Sequence, residues 1–325
     1  MSFSLVTCDD LQTLYSVLRA RGLSFLLTKL KLSGKKRIIN QWDTYQTSGS
    51  NWWEVPTIRQ RWNFKITGNK EEPWEEYVSR KYILNQDGFR ILSVGCGFGE
   101  KERLFASYVP LVSIEGIDIS EKSVMSARKN AGESNIKNLS YHLGDFATFS
   151  FEEKKFDMVL FNSSLHHFRE IEKLITNKVL PVLKSGGKLI MFEYTGPNRF
   201  QYKETQLLGA NRCLTLLTPE FKKRIDNSIK KKVYRPGWLR MWLNDPSEAP
   251  CSEDILPMLR KYFTVEEEKP VGGSILHPLL KGIAHNFLDE KSETKHFLDI
   301  LFQQEDKFLE ETGLSDFWFG VYRKD

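Results

Sequence analysis

The stretch Arg90-Ile91-Leu92-Ser93-Val94-Gly95-Cys96-Gly97-Phe98-Gly99-Glu100 decides how the chain is read. A short apolar run, Ile91 to Val94, meets three glycines at alternate positions and then the helix-forming residues Glu100 to Tyr108. The run reads as a buried strand and the glycines as a tight strand-to-helix turn. Glycine suits such a turn because backbone that comes close to a ligand has no room for a Cβ. The helix that follows aims its unpaired N–H groups at the turn, which favours a carboxylate or phosphate there. The spacing is not G-x-G-x-x-G, whose third glycine would fall on Glu100, nor a phosphate loop ending in Gly-Lys-Ser/Thr.

Working outward, Ser113 to Asp118 reads as a second strand with an acid at its C-terminal end, about twenty residues beyond the glycines. An acid so placed accepts hydrogen bonds from ribose hydroxyls in nucleotide-binding sheets. A helix over Ser120 to Gly132 and a third strand, Leu139 to Leu143, lead to Gly144-Asp145-Phe146. A fourth strand spans Lys155 to Asn162, followed by Leu165-His166-His167-Phe168, and Lys188 to Tyr194 is the fifth. The motifs VGCGFG, GIDIS, GDF, FDMVLFNSSLHHF and LKSGGKLIMFE stand in that order over Phe89 to Glu193. Together they resemble the class I, Rossmann-like S-adenosylmethionine-dependent methyltransferases of the small-molecule type. The resemblance implies an α/β fold with strand order 3-2-1-4-5-7-6, the last strand antiparallel. It does not cover the outer parts of the chain.

A chain of 325 residues accommodates one enlarged domain or two small ones. Its net charge of +5 is too small to argue for nucleic acid. Cys8, Cys96, Cys213 and Cys251 lie far apart with no metal spacing, and no metal is expected. With no secretory signal they suggest reduced thiols and a cytoplasmic protein. No apolar run is long enough for a transmembrane helix.

Residues 1–86 read as an N-terminal helical and aromatic cap, and residues 87–325 as the methyltransferase domain, with insertions at about 195–250 and 272–313. Leu11 to Leu32 is compatible with one or two amphipathic helices carrying basic residues. These are either a packed cap with a solvated basic face or a surface for membrane or partner contact. The aromatic segment Gln41 to Gly68 holds too much apolar surface for a linker, and reads as a lid or as core. A helix over Trp74 to Asn85 follows it. In the first insertion, Glu220 to Lys232 looks helical and basic, and Pro246-Ser247-Glu248-Ala249 looks like a helix start. Ser252 is a candidate cap for a helix over Glu253 to Tyr262. Strand candidates Phe263 to Lys269 and Phe317 to Tyr322 are separated by two expected helices, Leu276 to Leu288 and Lys295 to Glu311.

The resemblance implies that Gly95, Gly97 and Gly99 approach the methionine part of the cofactor. By the same resemblance Asp118 accepts from the ribose hydroxyls, Ile119 packs on the adenine, and Asp145 accepts from the adenine amino group. Phe146 then supplies an N–H or a wall, and Asn162 lines the methionine end. Asp118 as a helix cap and Asp145 as a turn residue are the plainer alternatives. Either His166 or His167 is a general-base candidate, since imidazole titrates near neutrality, although the family also uses this pair structurally. Absence of Asn/Asp-Pro-Pro-Tyr/Phe argues against the enzymes that methylate planar amino groups.

The polar, aromatic exit from the fifth strand nominates Glu193, Tyr194, Asn198, Arg199 and Tyr202 for the acceptor site. His277 is added from the second insertion. Arg199 suits an anionic group, with Lys222 to Lys232 reinforcing it; alternatively Glu193 and Arg199 pair with each other or with the scaffold. The expected acceptor is a small-molecule, lipid-like or carrier-bound metabolite. A catalytically inactive cofactor-binding module is the alternative, and an RNA methyltransferase a weaker one. The sequence leaves the oligomeric state open.

Overall fold

The computed structural model describes residues 6, 7, 10, 38, 39, 51–83, 87–238, 241 and 245–325. The expected amphipathic helices over 11–32 lie outside the described residues. No helix among those described is long and apolar enough to cross a membrane.

Seven strands form one sheet: β1 (Arg90–Val94), β2 (Ser113–Asp118), β3 (Leu139–Leu143), β4 (Phe156–Asn162), β5 (Leu183–Tyr194), β6 (Thr264–Gly272) and β7 (Phe317–Arg323). Their order is β3-β2-β1-β4-β5-β7-β6, as the resemblance implies. β1 to β5 pair in parallel, and β7 runs antiparallel between β5 and β6. All of Ile91 to Val94 is buried, because helices cover both faces of the central strands. Successive side chains point to opposite faces, so Ile91 belongs to one core and Leu92 to the other. The buried hydroxyl of Ser93 is satisfied by donating to Glu102 Oε1 at 2.5 Å.

Among the described residues, the α-helices of five or more residues are α1 (Pro56–Thr67), α2 (Trp74–Tyr82), α3 (Glu100–Tyr108), α4 (Glu121–Glu133), α5 (Glu204–Leu216), α6 (Ile255–Tyr262), α7 (Leu276–Leu280) and α8 (Ser292–Thr312). Trp52, Trp62 and Trp74 share one core with Ile91, Ile190 and Phe192, and so do Leu276 and Leu298 of the second insertion. The described part of the aromatic segment is therefore sheet-covering core. The opposite core joins α6 and the helical segment over 171–182 to Leu92, Val159 and Met191.

Departures from expectation fall where side chains compete with helix geometry. Residues 220–232 hold only a 3₁₀ turn, Glu220–Lys222, followed by a tight turn that a Lys223–Ile229 bridge closes. Asp226 Oδ1 accepts from Ser228 N, and the Lys230 ammonium is buried against the carbonyls of Pro278, Leu279 and Lys281 at 2.8–3.0 Å. Residues 246–249 form no helix, since Ser247 N bonds to Asp245 Oδ1 and Ala249 takes a φ of +45°. Ser252 donates to Gly196 O and caps nothing, and a 3₁₀ turn, Ser252–Asp254, precedes α6. The helix expected over Leu276 to Leu288 breaks at Gly282 (φ +79°) into α7 and a 3₁₀ turn, Ala284–Phe287.

Candidate active site

A cavity of about 1300 Å³ opens beyond the carboxyl ends of β1, β2, β4 and β5, where ligands gather in open α/β sheets. Pockets for one drug-sized ligand are roughly 300–1,000 Å³, so this cavity is larger than a single such ligand needs.

One end is built on the glycine turn. Gly95 N and Cys96 N both donate to Ile117 O, and Gly97 N donates to Asp118 Oδ2 at 2.9 Å, which ties the turn to β2. Gly97 has a φ of +52° and an added Cβ would meet nothing within 4 Å, so its bare backbone faces open cavity. Asp118 also accepts from Ser120 N at 2.8 Å. Burial raises its pKa, while the N–H groups of Ser120 and Gly97 hold it down. A carboxylate offers about four lone-pair sites, and these two bonds leave acceptor capacity on the cavity side. Ile119, Asp145, Phe146 and Asn162 line the same end. Two separated acids, a bare glycine backbone and an apolar wall fit an adenosine with a methionine tail.

Gly99 does not belong to that wall. It precedes α3 at φ +72°, and an added Cβ would sit 2.5 Å from Tyr141 Oη. Its glycine is required by packing against β3 rather than by a ligand.

A polar cluster lines the same cavity. Residues 165–167 form a 3₁₀ turn after β4, which presents both imidazoles with ring centres 4.3 Å apart. The buried carboxylate of Glu193, at the end of β5, accepts from Ser164 N, Leu165 N and His166 Nδ1 at 2.5, 2.7 and 2.7 Å. His166 Nε2 lies 3.5 Å from Glu248 Oε1. Burial alone would lower the pKa of His166, but Glu193 and then Glu248 raise it to about 10. His167 is lowered by burial and by the charge on His166. The pair is thus split into one imidazolium and one neutral imidazole. His166, His167 and Glu248 each bring a potential metal-ligand atom within 4.8 Å of the others, a grouping the sequence spacing does not reveal. Here His166 places both nitrogens on carboxylates, which keeps a proton where a cation would sit.

The cavity also has an aromatic wall of Trp52, Trp62, Trp74, Phe192, Phe200 and Phe317. His277 lies within it, beside Trp52, Tyr194, Phe200 and Phe317, with Nδ1 3.2 Å from Tyr202 Oη. Burial, helped by Lys281, lowers its pKa to about 3, so it stays neutral.

Of the residues nominated for the acceptor, Tyr194, Tyr202 and His277 line the cavity. Three do not. Glu193 is spent on the 164–166 turn. Asn198 Oδ1 accepts from Glu253 N at 3.1 Å. Arg199 is buried and its guanidinium donates to the carbonyls of Pro246 and Glu248 at 2.7 Å each. The scaffold alternative for Glu193 and Arg199 describes their contacts better. Glu248 and Ser247 were missed as site residues, because Asp-Pro-Ser-Glu carries the same residue types as a helix start.

A family model described as a methyltransferase domain matches residues 85–235. The demethylmenaquinone methyltransferase of Lactococcus lactis is 27% identical over 216 residues, 66% of this chain and 81% of that protein. A malonyl-[acyl-carrier protein] O-methyltransferase of Bacillus anthracis is 25% identical over 50% of this chain and 55% of its own length. The fatty-acid O-methyltransferase of Mycolicibacterium smegmatis is 28% identical over 51% of this chain and 62% of its own. The chain thus spans little more than half of the latter two. The strand order, a glycine turn tied to the acid that ends β2, and a family match running from the first strand past the fifth all converge. Residues 85–235 are a class I, Rossmann-like methyltransferase domain, whose cofactor is S-adenosylmethionine.

Proposed function

We propose that this chain methylates a largely apolar small molecule, lipid-like or carrier-bound, at a protic group, with His167 taking the acceptor's proton. The observation that carries the reading is that the His166–His167–Glu248 cluster and the aromatic wall share one cavity with Gly97, Asp118 and Asp145. S-adenosylmethionine, when bound, supplies an electrophilic methyl group on a sulfonium. The chain's own part is to hold the acceptor in line and to accept its proton. The acceptor's X–H bond breaks toward neutral His167 while X takes the methyl and sulfur keeps the bonding pair. The His166 imidazolium beside it stabilises negative charge that develops on X.

Trp52, Trp62, Phe192 and Phe317 favour an apolar acceptor body, and the three relatives named above act on lipid-like or carrier-bound molecules by their names. Lys230, buried against three carbonyls, is unavailable to a nucleic acid backbone. Cys96, Cys213 and Cys251 are free thiols, which supports a cytoplasmic setting.

The test uses methyl-labelled S-adenosylmethionine with a demethylated quinol, a malonyl thioester and a free fatty acid as probes, together with whole lipid extract. Label is expected in the organic phase. His167→Asn should lower turnover at least about 100-fold while S-adenosylhomocysteine binds as before. Label confined to polar products would overturn the acceptor class. Turnover abolished by a chelator and restored by a divalent ion would overturn the proton role.

A further inference from the structure

We propose that residues 245–249 form a positioning loop that fixes which nitrogen of His167 carries the proton. Asp245 and Ser247 act as its relay and Arg199 as its clamp. The inference rests on the reading of His167 as the proton acceptor.

The relay follows from donor bookkeeping. Asp245 Oδ1 accepts from Ser247 N at 2.8 Å and from the Ser247 hydroxyl at 2.5 Å. That hydroxyl has a single proton, and it is committed to the carboxylate. Toward His167, whose Nδ1 lies 3.2 Å away, Ser247 Oγ can only accept. Nδ1 must therefore donate, and the neutral ring carries its basic lone pair on Nε2. The arrangement couples an acid, a hydroxyl and an imidazole contributed by segments about 80 residues apart.

A relay of this kind works only if the loop is held still. Arg199 Nη1 donates to Glu248 O at 2.7 Å and lies 3.5 Å from Asp245 O, and Nη2 donates to Pro246 O at 2.7 Å. Its backbone N–H donates to Ala249 O at 2.6 Å. Arg169 adds a bond to Pro246 O at 3.2 Å. Arg199 and Ala249 both adopt left-handed backbone, with φ of +56° and +45°, a conformation that side-chain-bearing residues keep only where the surroundings hold them. One guanidinium thus grips the loop that delivers Ser247 to one imidazole and Glu248 to the other. A planar fork does this; an ammonium would not.

The charged groups facing His167 come from several elements. They are His166, Glu248 and Asp245 beside it, Glu193 behind His166, and Asp118 at the end of β2. Reversing the tautomer would leave an Nδ1 lone pair opposite the Ser247 oxygen, and two acceptors repel.

The experiment labels the histidines of the full chain with ¹⁵N, saturates it with S-adenosylhomocysteine and reads the His167 tautomer by long-range ¹H–¹⁵N correlation. The expected wild-type state is protonated at Nδ1. Ser247→Ala and Arg199→Lys should shift it toward the Nε2-protonated form or a mixture, and Ser247→Thr should restore it. On the best acceptor found, Ser247→Ala should lower kcat more than tenfold with KM and cofactor affinity changed less than threefold. Ser247→Thr should recover most of the rate. An unchanged tautomer in Ser247→Ala overturns the relay, whatever the rate. Should His167→Asn keep wild-type turnover, the proton-acceptor reading fails instead, and the tautomer spectra separate that failure from this one.

Discussion

His166 keeps its proton to a higher pH than free imidazole because folding places it between two carboxylates. Its pKa is raised from 6.5 to about 10, with Glu193 the main cause against the lowering effect of burial. The folded state then binds a proton that the unfolded state releases above about pH 6.5. Stability from this contact is complete below about pH 6.5 and is lost as pH rises through about 10. His166→Gln should therefore flatten the decline of unfolding free energy between pH 7 and 10, measured by urea denaturation against wild type. Parallel pH profiles in the two proteins would show that His166 is neutral when folded. Glu193→Gln removes a charge that three donors share. It should cost about 3–5 kcal/mol at pH 6.5, as for a buried pair that loses one partner.

At the scale of the element, the glycine turn between β1 and α3 contains three glycines with three different reasons. Gly95 adopts φ +72°, and its Cβ would lie 2.5 Å from the Cβ of Ser164, so it lets β1 end against the turn that carries the histidines. Gly99 gives Tyr141 its place, and at Gly97, which lines the cavity, an added Cβ would meet nothing. Left-handed backbone costs an L-residue roughly 1–2 kcal/mol. Gly97→Ala should lose about that much stability, while its affinity for S-adenosylhomocysteine falls at least roughly tenfold by calorimetry as the methyl fills the cradle. Gly95→Ala adds the collision with Ser164 to the same strain and should melt below Gly97→Ala. Wild-type affinity in Gly97→Ala would remove that residue from the cofactor surface.

Across the whole molecule, the proposed acceptor site depends on elements that the proposed cofactor site does not need. Glu305 on α8 accepts from Gly273, Ile275 and Leu276 N–H at 2.9–3.2 Å, fixing the start of α7 and with it His277. Arg61 on α1 pairs with neighbouring Asp306 at 2.7 and 3.0 Å, which fastens the cap to the second insertion. Glu305→Ala strands three buried donors and should cost about 3–5 kcal/mol. S-adenosylhomocysteine should still bind within about threefold of wild type, because the residues proposed to hold it follow β1, β2, β3 and β4. A folded variant that no longer binds the product would show that the two ends are one unit.

The sequence by itself determined the sheet, the glycine turn and the acids at the ends of β2 and β3. Those features are local: apolar runs with turn residues at set distances, each decided by neighbours within a few positions. The pair His166-His167 was legible for the same reason, though not which ring keeps its charge. Only the tertiary structure decided the roles of Glu193, Arg199, Asp245, Ser247 and Glu248. Their partners lie between 27 and 82 residues away, or two residues away in a turn that tertiary bonds hold. A buried arginine gripping carbonyls and one aimed at an anionic ligand are the same letter in the chain. The difference is which backbone oxygens folding has left without donors, and that is known only once the segments meet.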